Sequence, residues 1–229
     1  MKTTLNFVLD KAGFPMLWIE EIGAYLHWLP VTKVQFETYI CAQPETAFDE
    51  VWYHQALSLN ERVSPGAVTD KNLWKAFMTG ITPSEAQKYA AWCGDDFSLP
   101  SSEEWFTTYK ALQSERAIEL TFADELTKIP QRVHQLLKTM DTASKRIARS
   151  QNITERTLAT QMMMRFGVME WVEYSLSSRN STGWGGMGEP LRVFHAQMSS
   201  VERGQVSTPL NIENRMFYYG FRLIRRIDA

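Results

Sequence analysis

Three motifs that start helices constrain the fold of this chain more than any other feature of its sequence. In a capping box, a Ser or Thr side chain accepts from the amide three residues later, and a Glu or Gln at that position reaches back to the cap. The second motif adds Pro83 in the first helical position and Gly94 as a stop signal. We therefore predict helices over 33–41, over 83–93 and from 102 onwards. The paired residues are Thr32 with Gln35, Thr82 with Glu85, and Ser101 with Glu104.

Most of the remaining sequence has patterns that are typical of short strands and loops. Partial alternation over 5–9 and the aromatic-rich segment 25–29 favour strands, and 216–226 is predicted as a closing strand. The interval 42–80 holds prolines, glycines and aromatic residues without helical periodicity, which predicts compact loops. This mixture of elements indicates an α+β fold, and the length suits a single domain spanning 1–229.

One helical, positively charged interval interrupts this pattern at about 107–165. Apolar residues recur there at helical spacing, and the polar run 141–144 is expected to break the helix. The interval 128–156 carries seven Lys or Arg residues against two acidic ones. The basic face could dock a partner, although a solvated helix face is the commoner explanation. Its residues are Arg132, Lys138, Lys145, Arg146 and Arg149.

Charge and cysteine content narrow the class of protein. The formal net charge of −2 argues against a globally basic nucleic-acid binder. Cys41 and Cys93 are the only cysteines, so we expect no disulfide framework and two buried thiols in a reducing compartment. The N-terminal residues do not have the pattern of a signal peptide, and no run approaches the ~20 apolar residues of a membrane span. We expect a cytoplasmic protein that does not bind membranes.

Four stretches, in a fixed order, carry a family resemblance. They are LPVTKVQF from Leu29, ITPSEAQKYAAWCGDDFSLPSSEEW from Ile81, GVMEW from Gly167 and YGFRL from Tyr219. Together they resemble the formylglycine-generating enzyme, or sulfatase-modifying factor, family. The resemblance implies a C-type-lectin-like fold with a small antiparallel sheet, few helices and much irregular loop. It also implies a ligand groove between Trp171 and the last strand.

The sequence departs from the catalytic members of that family. Those members bind copper through two cysteines near the C-terminus, whereas no cysteine follows Cys93 here. Because a thiolate pair is what makes such a copper(I) site, we expect no catalytic residues of that kind and no resident metal or other cofactor. Gly167 replaces an asparagine that helps to bind calcium in the family, which puts a calcium site in doubt. The four histidines are scattered and form no close pair.

The leading hypothesis is a non-catalytic protein that binds another protein. Some relatives without catalysis display variable ligand-binding loops, and others belong to multi-protein operons. The resemblance therefore implies an accessory role in a prokaryotic defence (CRISPR-associated) or signalling operon. A glycine-rich loop is expected over 177–188, followed by a strand over 191–195, and the groove would lie over 183–204. Its candidate residues are Trp184, Arg192, His195, Glu202 and Arg203.

Two alternatives stay open. One is a metal-dependent oxidoreductase with a rebuilt site that uses His195, Glu170 or Glu202. The other is a nucleic-acid-associated subunit that works through the basic interval. The simpler interpretation of Glu170 and Trp171 is a core tryptophan beside a carboxylate that accepts from backbone amides.

Overall fold

The computed structural model describes residues 6–44, 48–59, 72–120, 128–176, 181–189, 204–207 and 212–227, and these form an α+β fold. Six α-helices are described. They are α1 (Lys33–Cys41), α2 (Glu50–Leu59), α3 (Pro83–Cys93), α4 (Ser102–Ser114), α5 (Gln131–Ser150) and α6 (Leu158–Gln161). Short 3-10 helices occupy Glu20–Ile22 and Leu73–Ala76.

Within the described ranges, eight strands form two small sheets. The first is antiparallel, with the order β1-β2-β3-β8-β4, and the second has the order β6-β5-β7. In the second sheet, β5 pairs with β6 antiparallel and with β7 parallel. The strands are β1 (Phe7–Leu9), β2 (Pro15–Ile19), β3 (Ala24–His27), β4 (Phe97–Ser98), β5 (Met169–Leu176), β6 (Ser181–Met187), β7 (Tyr219–Gly220) and β8 (Ile224–Arg226).

The three predicted capping boxes are confirmed. Each cap side chain accepts from the N3 amide, and each N3 side chain accepts in return from the cap amide. The return bonds from the cap amides measure 2.8 Å at Thr32, 2.9 Å at Thr82 and 2.7 Å at Ser101. Helices α1, α3 and α4 therefore begin where local side-chain chemistry satisfies otherwise unpaired amides.

Helix α2 lies within the interval for which we expected only loops, so that prediction was wrong. Its first turn is capped by Asp49, whose carboxylate accepts from the amide of Trp52 at 2.7 Å. One of the aromatic residues that suggested pinned loops, Trp52, instead lies in this helix, where it stacks on Phe36 of α1. Tertiary packing, rather than sequence periodicity, stabilises α2.

Helix α5 is continuous through 141–144, where we had predicted a break. Asp141 is buried, and Arg156 donates to its carboxylate at 2.6 Å and to Ser144 Oγ at 2.6 Å. These partners satisfy polar groups that would otherwise favour a turn. The apolar stripe of α5 packs in cis within the main hydrophobic core, through Val133, Leu136, Leu137 and Met140 together with the preceding Ile129.

One loop prediction and one strand prediction also needed correction. The glycine-rich segment predicted as a loop forms β6, which pairs with β5 over seven residue pairs. The closing strand predicted over 216–226 divides into β7 and β8, which belong to different sheets. Strand β2 was not predicted, because its residues are buried along nearly the whole strand and do not alternate. The strand predicted over 191–195 lies outside the described residues.

The buried apolar residues of the described segments form two hydrophobic clusters. The first contains the buried face of α5, part of the five-stranded sheet and Met162–Met164. The second joins α1 and α3 to Trp171 and Phe221, and the Trp171 indole donates to the Ile81 carbonyl at 2.7 Å. Trp171 is thus a core residue, as expected.

Two further expectations from the sequence concern the cysteines and a membrane span. Cys41 is exposed and Cys93 is half-buried, so the prediction of two buried thiols was wrong; both are free. Among the described helices, none has the length and apolar character needed to cross a membrane.

Candidate binding surface

A buried ion pair holds the two sheets to the rest of the fold. Glu170 and Arg222 are both fully buried, and the guanidinium donates twice to the carboxylate at 2.9 Å. Glu170 also accepts from the Trp105 indole at 2.9 Å. We had expected backbone amides as the donors to Glu170, so that detail was wrong. The remaining guanidinium hydrogens bond the carbonyls of His27, Trp28 and Met162.

A second buried polar cluster centres on Asp10. Its carboxylate accepts from the amides of Ala12 and Phe14 at 2.9 and 2.7 Å and from Gln35 Nε2 at 2.9 Å, and His27 Nε2 lies 3.1 Å away. Burial alone would raise the pKa of Asp10, but His27 and the other donors outweigh it and hold this pKa below its ordinary value. The cluster ties the β1–β2 turn to β3 and α1. Sequence reasoning missed it, because its members lie far apart along the chain.

Trp184, which the sequence predicts as a groove residue, borders a cleft of about 330 Å³. It lies on β6 opposite Glu173 of β5, and cross-strand partners have neighbouring side chains on one face of a sheet. Helix α3 supplies Gln87 to the cleft, and Phe97 of β4 lies on another side. The other lining residues are Ala90, Ala91, Gly94, Asp95, Ser98 and Leu99.

Glycines fix the position of the strand that carries Trp184. A Cβ on Gly186 would lie 2.5 Å from the Tyr219 ring, and one on Gly185 would lie 2.1 Å from Val206. Gly186 and Ser207 also exchange two backbone hydrogen bonds, of 2.8 and 2.9 Å. The glycines that led us to expect a loop over 177–188 therefore permit close packing around a strand. As a result, Trp184 is half-buried on a regular element.

The acidic groups around the cleft differ in their partners. Asp96 pairs with Arg225 at 2.5 Å, and Glu104 pairs with Arg226 at 2.7 Å. Glu173 is half-buried and Asp95 is exposed, and neither has an ion-pair partner within the described ranges. The Glu173 amide donates to the Pro100 carbonyl at 3.1 Å, which anchors this residue beside the start of α4. Within the part of the chain that the structure describes, the cleft therefore has an uncompensated negative charge.

A larger groove of about 630 Å³ lies on the other side of α3. Trp52 forms part of its wall and donates to Glu85 at 2.6 Å, and Arg215 pairs with the same carboxylate at 2.6 Å. Burial would raise the pKa of Glu85, but the Arg215 pair and the Thr82 and Trp52 donors hold it below its ordinary value. Aromatic residues dominate the lining: Phe36, Tyr39, Phe48, Trp52 and Trp92, with Gln43, Lys88 and Ala91.

The two cavities adjoin, because Ala91 of α3 lines both of them. Helix α3 thus forms a ridge between an acidic cleft and an aromatic groove. Among the described residues, six aromatic residues besides Trp184 line these cavities, namely Phe97 and the five of the groove. Phe36 and Tyr39 are buried, and the other four are half-buried. Tyr and Trp are enriched in protein interfaces, since each adds a large contact area with few rotatable bonds.

The five basic residues predicted to form a docking face are all exposed on α5. The helix spans about 30 Å, at 1.5 Å per residue. Its only acidic residue is Asp141, which is buried and pairs with Lys145 at 2.8 Å. The exposed face of α5 is therefore positively charged.

The other predicted groove residues, Arg192, His195, Glu202 and Arg203, lie outside the described residues. Within the described part of the chain, no group of three His, Cys, Asp or Glu residues could hold a metal ion. Comparison with known protein families, curated proteins and solved structures finds no match to this chain.

Proposed function

We propose that this chain is a non-catalytic protein-binding module on the scaffold of the formylglycine-generating enzyme family, with a C-type-lectin-like fold. The partner would be another protein, and the role that of an accessory subunit in a prokaryotic defence (CRISPR-associated) or signalling operon. The observation that carries the proposal is the pair of adjoining cavities on the two sides of α3. Both are open, and all but one of the aromatic side chains that line them lie on helices or strands.

Rigidity supports the same proposal. The walls of both cavities come from helices α1, α2 and α3 and from strands β4, β5 and β6, which the core and the capping boxes hold in place. A preformed aromatic surface loses little conformational entropy on binding, so more of the contact energy remains as affinity.

Affinity purification from the native host tests the proposal. The tagged chain is washed at moderate salt, and the proteins that remain are identified and quantified by mass spectrometry. We expect one stoichiometric protein that is lost with Trp184→Ala or Trp92→Ala. Phe217→Ala is the matched control, because Phe217 is 40% exposed and lines neither cavity. Recovery of the chain alone, or of the same protein with all three variants, would contradict the proposal.

The basic face of α5 favours a nucleic-acid-associated subunit as a second candidate. Five Lys or Arg residues on one exposed helical face, without an exposed acidic residue on the helix, suit contacts with phosphates. Fluorescence anisotropy with a labelled duplex tests this candidate. Binding that weakens steeply with salt, and weakens further in the Lys138→Gln/Arg149→Gln variant, would support it. Absence of binding at 50 mM salt would exclude it.

A further inference from the structure

The cleft beside Trp184 combines an uncompensated negative charge with an aromatic wall. Glu173 projects from the middle of β5 next to its cross-strand partner Trp184, and Asp95 stands at the end of α3. The carboxylates nearby have internal partners, since Arg225 holds Asp96 and Arg226 holds Glu104. Among the described residues, the acidic groups around the cleft are therefore paired, whereas those that line it are not.

An internal contact at the edge of the cleft has the same combination of an aromatic ring and a carboxylate. The guanidinium of Arg225 lies 5.5 Å from the centre of the Phe97 ring while it pairs with Asp96. This is a cation held by an aromatic face and a carboxylate together, an arrangement that suits arginine and lysine. Trp184 and Glu173 offer the same pair of groups toward the open cleft, and tryptophan is the strongest aromatic partner for a cation.

We propose that this cleft binds a single positively charged side chain, an arginine or a lysine, of the partner protein. The inference rests on the proposed function, because it names the side chain by which a partner would be recognised. The cleft volume of about 330 Å³ is at the small end of ligand sites, which suits one long side chain. Gln87 and Ser98 supply further polar groups on its wall.

The test uses the complete chain and three acetylated, amidated tripeptides with glycine at both ends. Their central residues are arginine, citrulline and glutamate, so that citrulline keeps the shape of arginine without its charge. Amide and indole NMR signals are followed during titration. We expect the arginine peptide to shift the Trp184 indole signal and the Gly94 amide signal in a saturable way. The citrulline peptide should bind at least about tenfold more weakly, and the glutamate peptide should leave both signals in place.

Matched variants assign the effect to the cleft. Glu173→Gln keeps the size of the side chain but removes its charge, and we expect it to weaken the arginine peptide at least about tenfold. Glu21→Gln is the control, because Glu21 is an exposed carboxylate on the 3-10 helix before β3 and lines neither cavity. Signal dispersion in the spectrum of each variant confirms that it is folded.

The possible results separate this inference from the proposed function. The proposed cation site would be wrong if the arginine peptide shifted neither signal, or if it bound the Glu173→Gln variant and the native chain equally. If a protein partner is nevertheless purified, the proposal of a protein-binding module stands. Equal shifts with the arginine and citrulline peptides would also overturn the inference. Binding of the arginine peptide that Glu173→Gln abolishes and Glu21→Gln preserves would establish the site, whether or not a partner is purified.

Discussion

Replacing Arg222 should destabilise the fold more than replacing any exposed arginine. The Arg222 guanidinium makes two hydrogen bonds to Glu170 and three to backbone carbonyls, all within the buried interior. In Arg222→Met, Glu170 keeps only the Trp105 donor, and three buried carbonyls lose a donor. Removing one partner of a buried ion pair costs about 3–5 kcal/mol, and each stranded polar group adds to this cost. We therefore expect a loss of at least about 4 kcal/mol.

Urea denaturation followed by tryptophan fluorescence measures this loss. The control is Arg226→Met, because Arg226 is half-exposed and its pair with Glu104 should contribute less than about 1 kcal/mol. The double variant Glu170→Gln/Arg222→Met removes the stranded charge, so it should be more stable than Arg222→Met alone. A loss under about 1 kcal/mol for Arg222→Met with an unchanged m-value, or strict additivity of the two single effects, would refute the reasoning.

Three further predictions concern acid stability, thiol reactivity and strand packing. Because the pKa of Asp10 is lowered in the folded state, its contribution is present above its unfolded pKa and is lost as the pH falls through its folded pKa. Denaturation from pH 7 down to pH 3 should therefore show a shallower acid loss for Asp10→Asn than for the native chain; equal slopes would contradict this. Burial, with the charge of Asp10 as a lesser cause, raises the pKa of Cys93 to about 12, whereas Cys41 is exposed. A thiol reagent at pH 8 should modify one cysteine rapidly, and Cys41→Ser should remove that fast phase; a fast phase that persists would contradict the assignment. Gly186→Ala should cost about 1–3 kcal/mol in urea denaturation, since its Cβ would lie 2.5 Å from the Tyr219 ring, and a neutral effect would contradict the packing described.

Local signals predicted the helix starts because all the atoms involved lie within four residues. The Thr32, Thr82 and Ser101 caps accept from amides of their own helices, and these hydrogen bonds do not require distant residues. Helix α2 carried a weaker signal of the same kind, the single cap Asp49, which the aromatic composition of the interval obscured. A search for lone aspartates before apolar runs could have found it.

The predictions that failed depended on distant partners. The polar run in α5 stays helical because Arg156 and Gln161 reach Asp141 from outside the helix. In the same way, β6 is a strand because the segment 204–207 and Tyr219 close against its glycines. Trp184 was predicted as a groove residue, and it does border a cleft. The unpaired state of Glu173 could not be predicted, because it depends on which arginines reach the neighbouring carboxylates.

The charges on the basic face of α5 are more exposed than those in the cavities beside α3. Binding at these two surfaces should therefore respond differently to salt. Charges on the α5 face are exposed, so contacts to them are screened as the Debye length falls from about 8 Å at 0.15 M to about 3 Å at 1 M. Contacts in the cleft and the aromatic groove combine partly buried charges with the burial of apolar surface. Salt screens partly buried charges far less than exposed ones, and it does not screen apolar contacts. A partner that elutes completely at 1 M salt would therefore bind through α5. A partner retained at that salt, and released by Trp184→Ala, would bind at the cavities beside α3.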